Sequence, residues 1–206
     1  MILKGEITTK KNKNIQNSRI RKVIVVTDGD KRAREAVEIA TKEIGGRCIS
    51  QSAGNPTPLD GETLAELILS SRHDPVVVMV DDKGHVGSGK GERALQYLVQ
   101  HPQIKVIGAL AVASKTPDVA GIHVDESIDN QGHIVRGPVD KDGNVEASNH
   151  RYLEGDTVES LNKLAIPFIV GIGDLGKMKG ADRLELGAPI TTKALKEILR
   201  QAQKME

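Results

Sequence analysis

The sequence predicts a three-layer α/β sandwich on a mainly parallel sheet, with a β-hairpin inserted late in the chain. Three observations carry this. Short β-branched runs alternate with helix-period segments through the first half, which implies parallel strands joined by right-handed crossovers. Two of those runs, residues 23–27 and 76–80, are apolar almost throughout, as strands covered on both faces are. Aromatic residues are scarce, with two Tyr, one Phe and no Trp, so the core must rest on Val, Ile, Leu and Ala.

Residues 23–27 read as the first strand. Asp30 is placed to cap a helix over residues 31–44, where Ala33, Ala36, Val37, Ala40 and Ile44 recur at helical spacing. Gly45-Gly46 ends that helix, and residues 47–50 read as a second strand. Two Pro, a Gly and an Asn make residues 52–58 a loop. Asp60 then caps a helix with Leu64, Leu67 and Ile68 inward. A third strand over 76–80 is followed by a Gly-rich loop, 84–91. A helix over 92–100 turns Ala94, Leu95, Leu98 and Val99 to one side. Residues 106–112 make a fourth strand, and the order so far is Rossmann-like.

Residues 115–150 break the rhythm. They are polar, with turn signals at Asn130-Gln-Gly132 and Asp142-Gly143, and predict a hairpin on the sheet edge. Asp156-x-x-Glu159 has capping-box spacing ahead of Leu161 and Leu164. Residues 166–170 read as a further strand. Thr191 is expected to cap a closing helix with Ala194, Leu195, Ile198, Leu199 and Ala202 inward. No internal repeat is evident.

The 206 residues divide into a basic, disordered tail, 1–22, and one folded domain, 23–206, with 115–150 as its insertion. The tail carries seven basic residues against one acid, Glu6, a net +6. The whole chain is +1, so the body is −5. An acidic body with few aromatic faces argues against nucleic-acid partners. One cysteine, Cys48, excludes an internal disulfide and suits a reducing compartment. No apolar run approaches the roughly 20 residues of a membrane span, and the N-terminus lacks the apolar stretch of a signal peptide.

Open parallel sheets bind ligands beyond the carboxyl ends of their strands. Two acidic pairs are expected there, Asp28 with Asp30 and Asp81 with Asp82, and a later strand ends at Gly171-Ile-Gly-Asp174. Clustered carboxylates of this kind ligate hard cations such as Mg²⁺ or Ca²⁺. The pairs are similar to the metal centre of Toprim-type phosphoryl-transfer domains, although there a Glu stands on one strand and Asp-x-Asp on another. Here Asp-x-Asp follows the first strand. The competing role for Asp28, Asp30 and Asp82 is to cap helices and turns. The loop Gly84-His-Val-Gly-Ser-Gly-Lys-Gly91 nearly spells a P-loop, but Gly91 stands where a Ser or Thr should hold Mg²⁺. Its backbone, with Gly87 and Gly89, still suggests an anion nest. Candidate ligand contacts are therefore Asp28, Gly29, Asp30, Gly87, Gly89 and Asp174, and candidate metal ligands are Asp28, Asp30, Asp81 and Asp82. Gly171-Ile-Gly-Asp-Leu-Gly176 matches a dinucleotide fingerprint but lies in the last unit, with no helix signal after it. Cys48, within a strand, reads as a small buried hydrophobe rather than a nucleophile.

Several segments together resemble one family. They include Val25-Val-Thr-Asp-Gly-Asp30, Lys42-Glu-Ile-Gly-Gly-Arg-Cys-Ile-Ser50, Ser52-Ala-Gly-Asn-Pro-Thr57, Ala113-Ser-Lys-Thr116, Gly155-Asp-Thr-Val158, Val170-Gly-Ile-Gly-Asp174 and Pro189-Ile-Thr191. On these the chain resembles the soluble stage V sporulation protein AE family of spore-forming Firmicutes, over nearly the whole folded body. The resemblance implies a forespore or spore protein, peripheral at the spore inner membrane and needed for efficient nutrient germination. It would work with other products of the same sporulation operon, a membrane complex that moves calcium–dipicolinic acid. It implies no catalytic residue and no established cofactor. The function expected is thus a non-enzymatic accessory acting by protein contact and ligand binding; the alternative is a metal-dependent phosphoryl-transfer or nucleotide-binding enzyme. The tail, 1–22, is expected to supply weak, salt-sensitive attraction to anionic membrane, with little from the body.

Overall fold

The computed structural model describes residues 19–82, 89–114, 121–155 and 157–206. Among the described residues the sheet has seven strands. In chain order they are β1 (Arg21–Val26), β2 (Arg47–Cys48), β3 (Val76–Met79), β4 (Ile104–Val112), β5 (Glu126–Ile128), β6 (Ile134–Val135) and β7 (Ile169–Ile172). Their spatial order is β2-β3-β1-β4-β7-β5-β6. Every pairing is parallel except the β5–β6 hairpin. The helices are α1 (Lys31–Glu43), α2 (Gly61–Ser70), α3 (Lys90–Gln100), α4 (Glu159–Asn162) and α5 (Pro189–Lys204).

Strand alternation divides the core into two layers. Ile24, Val26, Val77 and Met79 face a layer containing Ala33, Ala36, Val37 and Ala40 of α1 and Ala194, Leu195 and Ile198 of α5. Val23, Val25, Val76 and Val78 face the opposite layer, with Leu64 and Ile68 of α2, Leu95 and Leu98 of α3, and Leu161 of α4. Both sheet faces are dry, which is why residues 23–26 of β1 and all of β3 are apolar without interruption. This is the three-layer sandwich that the alternating pattern implied.

Some boundaries differ from the sequence reading. β1 begins at Arg21, so the tail boundary at residue 22 is too late. Arg21 and Lys22 pair with Ile104 and Lys105 of β4, and the Lys22 N–H donates to Asp74 at 2.9 Å. Ladder hydrogen bonds hold them there without apolar side chains. α5 begins at Pro189, a residue suited to the first turn because it lacks the N–H that would otherwise be unpaired. Thr191 therefore lies inside the helix and is not its cap. The α4 helix is only four residues long, and Asp156 of the expected capping box lies outside the described residues.

Sequence reading also missed a repeated turn. Asp129-Asn-Gln-Gly-His133 and Asp140-Lys-Asp-Gly-Asn144 fold alike. In each, the Asp Oδ1 accepts the N–H groups two and four residues on, at 2.9 and 2.7 Å in the first and 2.8 and 2.8 Å in the second. The Asp carbonyl accepts the Gly N–H at 2.9 Å in both. The turns dock together, Asn130 donating its backbone N–H to the Gly143 carbonyl at 2.8 Å and its side-chain amide to Asn144 at 3.0 Å.

Candidate functional site

α1, following β1, lies on one face of the sheet, while α3, following the adjacent β3, lies on the other. Where connections part in this way a crevice opens beyond the strand ends. Here it has a volume of about 210 Å³, and its lining includes Thr27, Asp28, Asp30, Asn55, Asp81, Ser114, Lys141, Asp174 and Lys177.

Each wall has a local cause. Asp30 caps α1, its Oδ1 accepting the Ala33 N–H at 2.7 Å. That leaves Oδ2 free to turn outward to Lys177 Nζ at 2.9 Å. Asp28 Oδ1 accepts the Asp30 N–H at 3.0 Å, which folds the two carboxylates over one turn. Gly29 is required here: a Cβ on it would lie 2.4 Å from the Gly54 carbonyl oxygen, so the loop after β2 could not close down. Its role is close backbone approach. Thr57 holds that loop to β3, its Oγ1 accepting the Asp81 N–H at 2.7 Å and its N–H donating to the Asp81 carbonyl at 2.8 Å. Asp174 follows β7, and its N–H donates to the Lys141 carbonyl at 2.8 Å. The repeated turn thus fixes Lys141 at the rim.

The structure brings Asp28, Asp30 and Asp174 together, one carboxylate oxygen of each lying within 4.8 Å of the others. Lys177 Nζ bridges two of them, at 2.9 Å from Asp30 and 3.1 Å from Asp174. Burial, with the neighbouring charges of Asp30, Asp81 and Asp174, pushes the Asp28 carboxyl up to about 7. Asp30 responds oppositely. Burial opposes its ionisation, but the Ala33 N–H and the Lys177 ammonium hold it below its ordinary value. Neighbouring carboxylates of one crevice are thus driven apart. Such oxygens suit a hard divalent cation, and the Lys177 ammonium stands where a cation is attracted.

Other expected residues do different work. Asp81 lines the crevice, but Asp82 does not join it. Its Oδ1 accepts the Gly91 N–H at 2.6 Å and its Oδ2 the Glu92 N–H at 2.9 Å, so it caps α3. Gly89 precedes that helix, and a Cβ on it would fall 2.0 Å from Asp82 Oδ1. Gly89 therefore makes room for the cap, and the Gly91 N–H is already taken, which removes a donor from the expected anion nest. Gly87 lies outside the described residues. Cys48 is buried, and burial pushes its thiol up to about 11, unsuited to thiolate chemistry. Lys177 and Lys141 were not anticipated. Spacing hinted at Lys177, which lies three residues past Asp174 in a Gly-rich turn. Lys141 depends on the docking of the two turns, which only the tertiary fold reveals.

Among the described residues no helix is long and apolar enough to cross a membrane. No curated protein and no solved structure matches the chain. One family model does, that of stage V sporulation protein AE1, over residues 22–202. That span takes in all but the first residue of β1 and the last two of α5, and the whole strand-end crevice, and the chain belongs to this sporulation family.

Proposed function

We propose that the chain is a non-enzymatic accessory of the spore germination apparatus. It works beside the membrane complex that moves calcium–dipicolinic acid, peripheral at the spore inner membrane, and binds a divalent cation at its strand-end crevice. Family membership supplies the sporulation context. The observation that carries the ligand reading is the convergence of Asp28, Asp30 and Asp174 at the end of a parallel sheet. Calcium is a hard cation and takes six to eight oxygens; three carboxylates with Asp81, Asn55 and Ser114 on the same walls offer oxygen donors of the right kind. The phosphoryl-transfer reading is weaker on this geometry, because Asp82 is committed to α3.

Two measurements test the proposal. Calorimetry with Ca²⁺, Mg²⁺ and dipicolinate should show heat for Ca²⁺ that is lost in Asp174→Asn; no heat at millimolar ligand removes the crevice from the account. Spores carrying Asp174→Asn should release dipicolinate more slowly in nutrient germination than wild-type spores. Normal release from spores lacking the gene altogether would overturn the accessory role itself.

A further inference from the structure

The outer side of α5 carries essentially one sign of charge. Beyond Pro189 in its first turn, the exposed positions along the helix are Lys193, Lys196, Arg200, Gln203 and Lys204. Spacings of three and four place them along one side, and at a rise of ~1.5 Å per residue the row is roughly 16 Å long. The only acid within α5, Glu197, is turned inward at 4% exposure and holds Arg200 at 2.5 and 2.8 Å. It offsets Arg200, and Glu126 of β5 adds a second acid within electrostatic reach of Arg200 and Lys204, so the row stays basic through its lysines.

The row runs into a second basic group. α5 ends beside the starts of β1 and β4, where Lys22 Nζ and Lys105 Nζ share the Glu206 carboxylate at 2.7 and 3.6 Å. Arg19 adds a third cation, 3.3 Å from Asp74, so three cations meet two acids there. Two exposed apolar side chains, Ile20 at 54% and Met205 at 55%, stand beside this group in sequence. The crevice carboxylates occupy the opposite ends of the strands. The body, counted from β1 onward, carries net −3 and is polarised, acidic at the crevice end and basic along α5 and at the other.

We infer that α5, with the molecular end where it meets β1 and β4, is a docking face for an anionic lipid bilayer. The inference deepens the peripheral location proposed above and moves the main attraction from the tail to the body. The lysines supply attraction to the leaflet, and Ile20 and Met205 supply shallow apolar contact. A row of like charges beside two scattered apolar tips suits a fluid anionic plane. An acidic protein partner calls instead for an apolar, well-packed centre, which this face lacks.

The test is co-sedimentation of the full-length chain with vesicles of phosphatidylglycerol mixed with phosphatidylcholine, against phosphatidylcholine alone. Wild-type protein should bind only the anionic vesicles, less at high salt. Lys196→Glu with Lys204→Glu should lower the partition coefficient at least about tenfold, since each lysine near the surface is worth about fivefold. Lys31→Glu with Lys90→Glu makes the same change of net charge at the acidic end and should lower it less than about twofold. A third variant, with Lys4, Lys10, Lys11 and Lys13 changed to Gln, isolates the tail. Circular dichroism confirms that each variant folds.

Equal loss in the α5 and control pairs, loss confined to the tail variant, or equal binding to neutral vesicles overturns the inference. So does binding to polyglutamate without binding to vesicles, which would assign the face to an acidic protein. Spore fractionation separates this from the broader reading. A chain that stays in the membrane fraction despite Lys196→Glu and Lys204→Glu sinks the docking face and leaves peripheral location standing. Wild-type chain that binds anionic vesicles yet is missing from that fraction does the reverse.

Discussion

Asp82 Oδ1 accepts the Gly91 N–H at 2.6 Å, and this contact settles the role of the residues around the glycine-rich loop. An acidic side chain that caps α3 from nine residues upstream is a fold element. Asp82→Ala should destabilise the protein by about 1–2 kcal/mol, the usual cost of a lost cap, while Ca²⁺ binding at the crevice is unchanged. Urea unfolding and calorimetry on the same sample check both halves.

The same geometry bears on nucleotide chemistry. Gly91 offers no hydroxyl for Mg²⁺, and its N–H is occupied by the cap. The chain should show no Mg²⁺-dependent turnover of ATP or GTP. Steady hydrolysis that disappears in Lys90→Ala would contradict this.

Asp28 makes a pH prediction. Its folded value of about 7 lies above its ordinary 3.8, so the folded state binds the extra proton between those values. The stability associated with that proton is fully present below about pH 4 and is lost as the pH rises to about 7. Asp28→Asn should match wild type near pH 4 and exceed it near pH 8, by at most about 4 kcal/mol. Asn keeps an oxygen for the Asp30 N–H, so that hydrogen bond is not the variable. Urea titrations in calcium-free buffer at both pH values decide it; a constant difference would show that Asp28 titrates normally.

Much of this architecture is legible in the sequence because it is local. The apolar runs of β1 and β3 fix two buried strands, and Asp30 and Asp60 cap α1 and α2 at 2.7 and 2.8 Å as their positions suggested. Asp28, Asp30 and Asp174 follow strand ends, which is enough to suggest a shared crevice. Asp82 stood open between ligand and cap because Asp-Asp after a strand has the same pattern in either role, and the choice depends on where the next helix starts. The paired turns were missed because Asp129 and Asp140 share a spacing rather than a composition. Lys141 enters the site only through their docking.

Lys177 predicts a competition. Its ammonium lies between Asp30 and Asp174, so a divalent cation must displace it. Lys177→Met should cost little stability in calcium-free buffer, about 0–1 kcal/mol, because these pairs are partly exposed. Ca²⁺ should then raise the melting temperature more in Lys177→Met than in wild type, since the added affinity for the folded state appears as stability. Thermal scans with and without millimolar Ca²⁺ measure the difference, and identical shifts would place the cation elsewhere.

Asp182 connects the start of α5 to the crevice. It is fully buried, and its carboxylate accepts the N–H groups of Gly176, Ile190 and Thr191 at 2.8, 2.8 and 3.0 Å and the Thr191 hydroxyl at 2.5 Å. It therefore satisfies two open donors of α5 and ties down the turn carrying Lys177. Asp182→Ala leaves three backbone donors without that acceptor, at about 1–3 kcal/mol each, so a loss of 3 kcal/mol or more is expected. Asp182→Asn should lose less. Its oxygen still serves Ile190 and Thr191, but its amide cannot accept from Gly176. Thr191→Val removes only the hydroxyl and should cost about 1 kcal/mol. Urea unfolding gives the ranking Ala, then Asn, then Val at position 191. Because the Gly176 N–H is released in Asp182→Asn, the turn that also positions Asp174 loosens, so Ca²⁺ binding should weaken in that variant and not in Thr191→Val. Equal binding in the two would mean that the turn holds Asp174 in place without Asp182.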